Sequence, residues 1–237
     1  MIRRLVIFLA ILLGLAALAD RGLASAAGNA TARQIRIHED LKEDPSVNFR
    51  GFPFTTQAVR GKFRAVDVTA RGVQRNGITF SRVEAHLEGV RVKLSKALKG
   101  RVTAVPVSRG TATVTLSYGD LSAYLATKPG NIRIALRDGQ PVVVSSFGIP
   151  GIGAVDVEGT PAVTVAGDVV RIRVSNVHTV GGERGLTTTL AATAATRASF
   201  SLAMNDLPFG IKVVTASLTA DGLVVGATAE GIVVDVS

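Results

Sequence analysis

VTARGVQRNGITFSRVEAHLEGVRV, Val68 to Val92, and VTASLTADGLVVGATAEGIVVDV, Val214 to Val236, can be laid over one another with a small gap. Each begins Val-Thr-Ala, turns at a glycine (Gly77, Gly222) and closes on Ala-x-x-Glu-Gly followed by alternating aliphatics. An aromatic-proline element precedes each copy: Gly51-Phe52-Pro53-Phe54 before the first and Leu207-Pro208-Phe209-Gly210 before the second. Within and around the first copy Val66, Val68 and Ala70 alternate with Asp67 and Thr69, and Val83, Ala85 and Leu87 with Glu84 and His86. A period of two with one apolar face is the pattern of half-buried antiparallel strands.

Asn76-Gly77 is a two-residue hairpin signal, and Asp138-Gly139 and Ala166-Gly167-Asp168 mark two further turns. The strand pattern is broken twice by short helices. Ser117 can cap the first, with Asp120 three residues on and Leu121, Tyr124 and Leu125 as its apolar face. The second is expected over Leu186 to Arg197. No low-complexity or charged linker divides the chain, so residues 27–237 are expected to form a single elongated α+β domain of two pseudo-repeats, each with a helix against a curved antiparallel sheet.

The N-terminus is of a different kind. Met1-Ile2-Arg3-Arg4 is basic, and Leu5 to Ala19 is an unbroken apolar run closed by Asp20-Arg21. As a helix the run would span about 22 Å, short against a hydrocarbon core of about 30 Å. It fits the apolar part of a secretory leader, with Ala24-Ser25-Ala26 as a small-x-small cleavage pattern. Against cleavage, Leu23, Ala27, Ala30, Ile37 and Leu41 are spaced as one helical face that would continue the apolar segment. Residues 1–26 are therefore a signal peptide or an N-terminal membrane anchor, and either makes the chain an exported one.

The 237 residues include no cysteine, which removes disulfides and thiolate metal sites. A formal charge of +9, from 27 basic and 18 acidic residues, favours anionic partners. Export argues against nucleic acid and for an anionic membrane surface. Arg60, Lys62 and Arg64 are expected to alternate along one strand face, and Arg91, Lys93, Lys96, Lys99 and Arg101 to form a second basic cluster. A charge run is ordinarily a solvated face. Its functional alternative is attachment to anionic lipid, worth about 1 kcal/mol per basic residue near the surface.

Catalytic patterns are absent: the sequence has no Gly-x-Ser-x-Gly, phosphate loop, His-Glu-x-x-His or dinucleotide fingerprint. His38, His86 and His178 have no metal-ligand spacing, and no metal or cofactor is expected. His178 with Glu183 is the least implausible acid–base pair, and it reads more simply as a loop histidine beside a turn carboxylate. Asp67 and Glu84 are expected on solvated strand faces. An enzyme is not expected. Phe49, Phe52, Phe54 and Phe63 crowd one short stretch, with Pro53 holding its backbone extended. These rings either plug a core or line the mouth of an apolar groove, and the same two readings apply to Leu207 and Phe209.

Val47-x-Phe49-x-Gly51-Phe52-Pro53-Phe54-Thr55-Thr56-Gln57, then Gly61 and Val66-x-Val68, resembles the opening signature of the actinobacterial LmeA-like phospholipid-binding family. Leu207-Pro208-Phe209-Gly210-Ile211 and Asp221-Gly222-Leu223-Val224-Val225 resemble its closing signature, and Asp20-Arg21 after an apolar leader is similar too. The chain departs from the family pattern at Thr55, where leucine is common. The resemblance implies a strongly curved sheet wrapped around helices, similar to tubular lipid-binding folds, in an envelope or periplasmic protein. It implies binding of phospholipid, phosphatidylinositol included, in support of lipoglycan assembly, with no catalytic residues to carry over. Phe49, Phe52, Phe54, Phe63, Leu207 and Phe209 are then the apolar lipid contacts, and Arg60, Lys62 and Arg64 the head-group or membrane contacts. The rival is a structural partner of a membrane glycosyltransferase whose interior is filled by its own side chains.

Overall fold

The computed structural model describes residues 2–75, 77–97, 99, 102–128, 131–149, 153–180, 187–204 and 212–235, with backbone only at 2–12, 94, 147, 149 and 235. Leu207, Pro208 and Phe209, Glu183, Asn76 and Arg101 lie outside the described residues. The architecture is mixed α+β. One antiparallel sheet runs in the order β1 (Ser46–Arg50), β2 (Lys62–Arg75), β3 (Ile78–Arg91), β4 (Ala104–Leu116), β11 (Gly222–Asp235), β10 (Lys212–Thr219), and the other in the order β5 (Arg133–Arg137), β6 (Gln140–Ile149), β7 (Gly153–Ala166), β8 (Val169–Thr179), β9 (Phe200–Ala203); neither is closed. The chain divides into two compact units, Met1–Arg71 with Glu84–Ala112 and Ala229–Ser237, and Gly72–Val83 with Thr113–Thr228. The long strands β2 (Lys62–Arg75), β3 (Ile78–Arg91), β4 (Ala104–Leu116) and β11 (Gly222–Asp235) contribute residues to both units.

The first unit is built on the helix α1 (Ile2–His38) and the strand β1 (Ser46–Arg50), which pairs antiparallel with β2 so that Val47 faces Val68 and Phe49 faces Val66. From residue 20 to residue 32 every fourth residue of α1 is buried: Asp20, Ala24, Gly28 and Ala32. This spacing stacks them on one face, and three of the four are alanine or glycine. A Cβ on Gly28 would stand 2.4 Å from the Val47 carbonyl oxygen, so helix and strand touch backbone to backbone. The expected face is thus corrected by a rotation. Leu41 is buried and Ala27 half-buried, but Ala30 is exposed, Leu23 is 53% exposed and Ile37 67% exposed. Contact this close requires small side chains, and the larger ones are left outside. Val47, Val66, Val90 and Val107 complete a small core with Ala32.

The second unit has the larger core. Leu116, Leu121, Val170, Leu202 and Leu223 are fully buried, joined by Ile172, Val143 and Val225. Its helix α4 (Tyr118–Ala126) is capped as expected: the Ser117 hydroxyl accepts the Asp120 N–H at 3.1 Å and donates to the Asp120 carboxylate at 2.6 Å. The helix α5 (Thr188–Ala198) is capped by Thr187. The five-stranded sheet is a meander. β5 (Arg133–Arg137) and β6 (Gln140–Ile149) turn at Asp138-Gly139, both at positive φ, and β7 (Gly153–Ala166) and β8 (Val169–Thr179) turn at Gly167. β9 (Phe200–Ala203) lies at its edge. The two similar sequence copies fall on β2–β3 and on β10 (Lys212–Thr219) with β11, and β10 and β11 form an antiparallel hairpin that turns at Ala220-Asp221, just before Gly222.

Candidate functional site

The aromatic-proline element of the first unit forms a helix that the strand pattern concealed. Phe54 to Arg60 make α2, entered through Pro53 and ended by Gly61 in the left-handed conformation at φ 63°. A Cβ at Gly61 would lie 2.6 Å from the Val92 carbonyl oxygen, and the Gly61 carbonyl accepts the Val92 N–H at 2.9 Å, so the helix end is pinned against the end of β3. Arg60, Lys62 and Arg64 therefore do not alternate along one strand. Arg60 closes α2, and Lys62 and Arg64 open β2 beyond the glycine.

A helix start leaves backbone N–H groups without partners, and Pro53 has no side chain to cap them. The partner comes from α1. The Asp20 carboxylate, 4% exposed, accepts the N–H of Phe54 at 2.7 Å, the N–H of Thr55 at 2.8 Å and the Thr55 hydroxyl at 2.9 Å. Burial by itself raises the pKa of this carboxyl. The Thr55 and Phe54 N–H groups, the Thr55 hydroxyl and the neighbouring Arg21 outweigh it and hold the pKa below the ordinary aspartate value. Thr55, where the family resemblance led one to look for leucine, thus has a polar task.

Gln57, also buried, fastens the other side of α2. Its side-chain oxygen accepts the Arg64 N–H at 2.8 Å, while its amide donates to the carbonyls of Arg50 at 3.3 Å and Pro53 at 3.4 Å. One side chain so links the end of β1, the turn and the start of β2. Gly51, at φ 93°, lets the Arg64 stem pass close by, with Arg64 Cδ 3.0 Å from where a Cβ would stand.

Between these elements lies an open cleft of about 180 Å³ lined by Phe52, Pro53, Gln57, Arg60, Lys62 and Arg64. The three cationic side chains are exposed, and none forms an ion pair among the described residues. Phe52 is 48% exposed at the rim, with the Arg21 guanidinium 5.9 Å from its ring centre. The other three phenylalanines take the opposite course. Phe49, Phe54 and Phe63 pack on one another at centroid separations of 5.0–5.9 Å, within the range of favourable aromatic pairs. Phe54 is buried and Phe49 and Phe63 half-buried, alongside the first unit's core. Sites for drug-sized ligands occupy about 300–1,000 Å³. This cleft is smaller.

None of the remaining candidates lines the cleft. Asp67 is not a free strand carboxylate: it accepts from Arg50 Nε and pairs with His86 Nδ1, and His86 Nε2 stands 3.5 Å from Glu88. In the second unit His178 lies opposite Glu158, with Nε2 3.1 Å from the carboxylate, and Arg137 approaches the other oxygen at 3.5 Å. Both histidines are exposed, and among the described residues no group of acidic and histidine side chains is arranged to hold a metal ion. Arg91, Lys93, Lys96 and Lys99 are exposed around the short helix α3 (Leu94–Ala97). No helix among the described residues is long and apolar enough to cross a membrane.

Sequence reasoning missed Asp20 and Gln57 as parts of the site. The available signals were Asp20 interrupting an apolar run, and a glutamine three residues after a phenylalanine that follows proline.

The cleft thus presents cations without ion-pair partners among the described residues beside an exposed aromatic rim. Compared with known families, residues 18–228 match the LmeA-like phospholipid-binding family, and the chain belongs to it. No curated protein and no solved structure matches it. Membership suggests phospholipid binding, and a binding role in preference to a catalytic one.

Proposed function

We propose that the chain is a non-enzymatic phospholipid-binding protein of the cell envelope, selective for anionic lipid and serving envelope lipid or lipoglycan assembly. The observation that carries this is the convergence of Arg60, Lys62 and Arg64 on a cleft rimmed by exposed Phe52. In this reading the three cations take the phosphate of a phosphatidylinositol-like head group, and exposed Phe52 meets the first methylenes of its tail. Phe49, Phe54 and Phe63 would touch lipid only once their mutual packing opens, and Leu207 and Phe209 belong to the same proposed apolar set. A tubular shelter for the rest of the tail and an origin of the two hairpins by duplication go with it.

Vesicle sedimentation tests the proposal. Phosphatidylinositol-containing vesicles should be bound and pure phosphatidylcholine vesicles should not. Replacing Arg60, Lys62 and Arg64 together by Gln removes about 3 kcal/mol of surface attraction, roughly a hundredfold in affinity. Phe52→Asp should weaken binding further. Equal binding by the triple variant and the wild type would refute the head-group assignment. A second reading, a scaffold for a membrane glycosyltransferase, is favoured by the interlocked Phe49, Phe54 and Phe63, since such an interior needs no lipid. Native mass spectrometry of the protein from its own host separates the two: co-purifying phospholipid at fixed stoichiometry supports the first, and a lipid-free chain that also takes up no added phosphatidylinositol supports the second.

A further inference from the structure

We propose that Asp20 positions the α2 wall of the cleft from α1, and that the mature protein therefore keeps it: any leader ends no later than the Ala19–Asp20 bond, and not after Ala26. The proposal rests on the export reading above. Burial along α1 changes at one residue. Upstream, Leu13, Leu15 and Leu18 are 62%, 59% and 71% exposed; from Asp20 onward every fourth residue is buried through Ala32. Those three leucines are turned to solvent, whereas Asp20 supplies the acceptors for the N–H groups of Phe54 and Thr55.

Cleavage after Ala26 would remove Asp20 and Ala24 together. The N–H of buried Phe54 would lose its partner, and a buried donor without an acceptor is costly. No neighbouring side chain replaces it, because the residue at the cap position is Pro53. α2 carries Gln57 and Arg60 and follows directly on Pro53, so loosening its first turn disturbs three of the residues that line the cleft. A small-x-small pattern that spares this contact does exist. Ala17-Leu18-Ala19 stands immediately before Asp20 and meets the same requirement for a cleavage site as Ala24-Ser25-Ala26. The family match begins at Leu18, which also places Asp20 within the shared part of the chain.

The test uses the full-length chain expressed in an exporting host, with intact-mass measurement of the protein recovered from the envelope. A chain starting at Met1 or at Asp20 is the expected result, and one starting at Ala27 overturns the proposal. Site-resolved hydrogen exchange on wild type and Asp20→Asn supplies a readout independent of export. Protection at the Phe54 and Thr55 amides should fall at least about tenfold in the variant, and binding to phosphatidylinositol vesicles should weaken several-fold while the circular dichroism spectrum stays wild type. Unchanged protection, or unchanged vesicle binding once protection is lost, overturns the positioning role. A protein found in the cytosol, starting at Met1 with both amides protected, overturns the export reading and supports the role of Asp20.

Discussion

The helices α2 and α4 solve the same problem in opposite ways. Each is short, each follows a β-strand, and each needs an acceptor for its first N–H groups. α4 takes its cap from Ser117, the residue directly before it, whereas α2 takes its cap from Asp20, more than thirty residues upstream on another helix. The units around them differ in the same sense. The second is organised by a large aliphatic core with locally capped helices, the first by a small valine core, a backbone-to-backbone contact at Gly28 and polar clasps through Asp20 and Gln57. The candidate cleft is on the first. A site that must hold cations beside one another and an exposed ring cannot be built from close-packed aliphatics, and hydrogen-bonded side chains fix its walls instead.

The sharpest way to break this contrast is to truncate one buried aliphatic side chain in each core. Leu121→Ala, at a fully buried position of α4, should cost about 2–5 kcal/mol in urea unfolding. Val66→Ala in the first unit removes less apolar surface and should cost about 1–2 kcal/mol. Equal losses would show that the first unit depends on apolar packing as heavily as the second.

Two glycines with nearly the same backbone sharpen it further. Gly61 and Gly167 have φ of 63° and 60°. Alanine at either carries the left-handed penalty of about 1–2 kcal/mol. At Gly167 nothing lies within 4 Å of the new methyl, while at Gly61 it meets the Val92 carbonyl oxygen at 2.6 Å. Gly61→Ala should therefore be worse than Gly167→Ala by about 1–3 kcal/mol of overpacking, and it alone should weaken binding to anionic vesicles, since Arg60 and Lys62 flank it. Equal melting shifts and equal vesicle binding would mean that the clasp at Gly61 does not shape the cleft.

What could be read in advance follows the same division. Ser117 with Asp120, the Asp138-Gly139 turn and the alternation from Val66 to Ala70 are local patterns, and each forms the element it announces. α5 starts within two residues of where the alanine- and threonine-rich stretch places it. The candidate site is less legible because its determinants are distant in sequence. Phe-Pro-Phe followed by Arg60, Lys62 and Arg64 at alternate positions looks like a strand, and nothing local to Thr55 reveals that Asp20 completes a helix there. On α1 the large side chains, Leu23 and Ile37, drew the expected face, whereas contact selects the small ones, because Gly28 must meet Val47 directly. The Asp20-Arg21 and Phe52-Pro53-Phe54 motifs carried the family resemblance separately, and the structure joins them through the Asp20 carboxylate, which accepts from Phe54 and from the following Thr55.

The smallest difference is electrostatic and lies in the first unit's strand surface. The hydrogen bond to Asp67 raises the pKa of His86, with burial opposing and the charges of Asp67 and Glu88 adding to it. Burial would raise the Asp67 pKa, but the bonds from His86 and Arg50 and their charges lower it below the usual aspartate value of 3.8. Because the His86 value is raised on folding, its contribution is complete below about pH 6.5 and is lost as pH rises through the folded value. Asp67 works in the opposite sense: its contribution is present above about pH 3.9 and is lost as pH falls through its depressed folded value. The cluster therefore favours the folded state most between these limits. His86 is 45% exposed, with Arg50, Glu88 and Arg109 around it, so screening keeps the effect below about 1 kcal/mol. His86→Gln should flatten the stability profile on its alkaline side and leave the acid side to Asp67 and Arg50. A urea-midpoint series from pH 4 to pH 9 reads this directly. If wild type and His86→Gln run parallel across that range, the polar network of the first unit is a solvated surface, and its reliance on polar contacts narrows to Asp20 and Gln57.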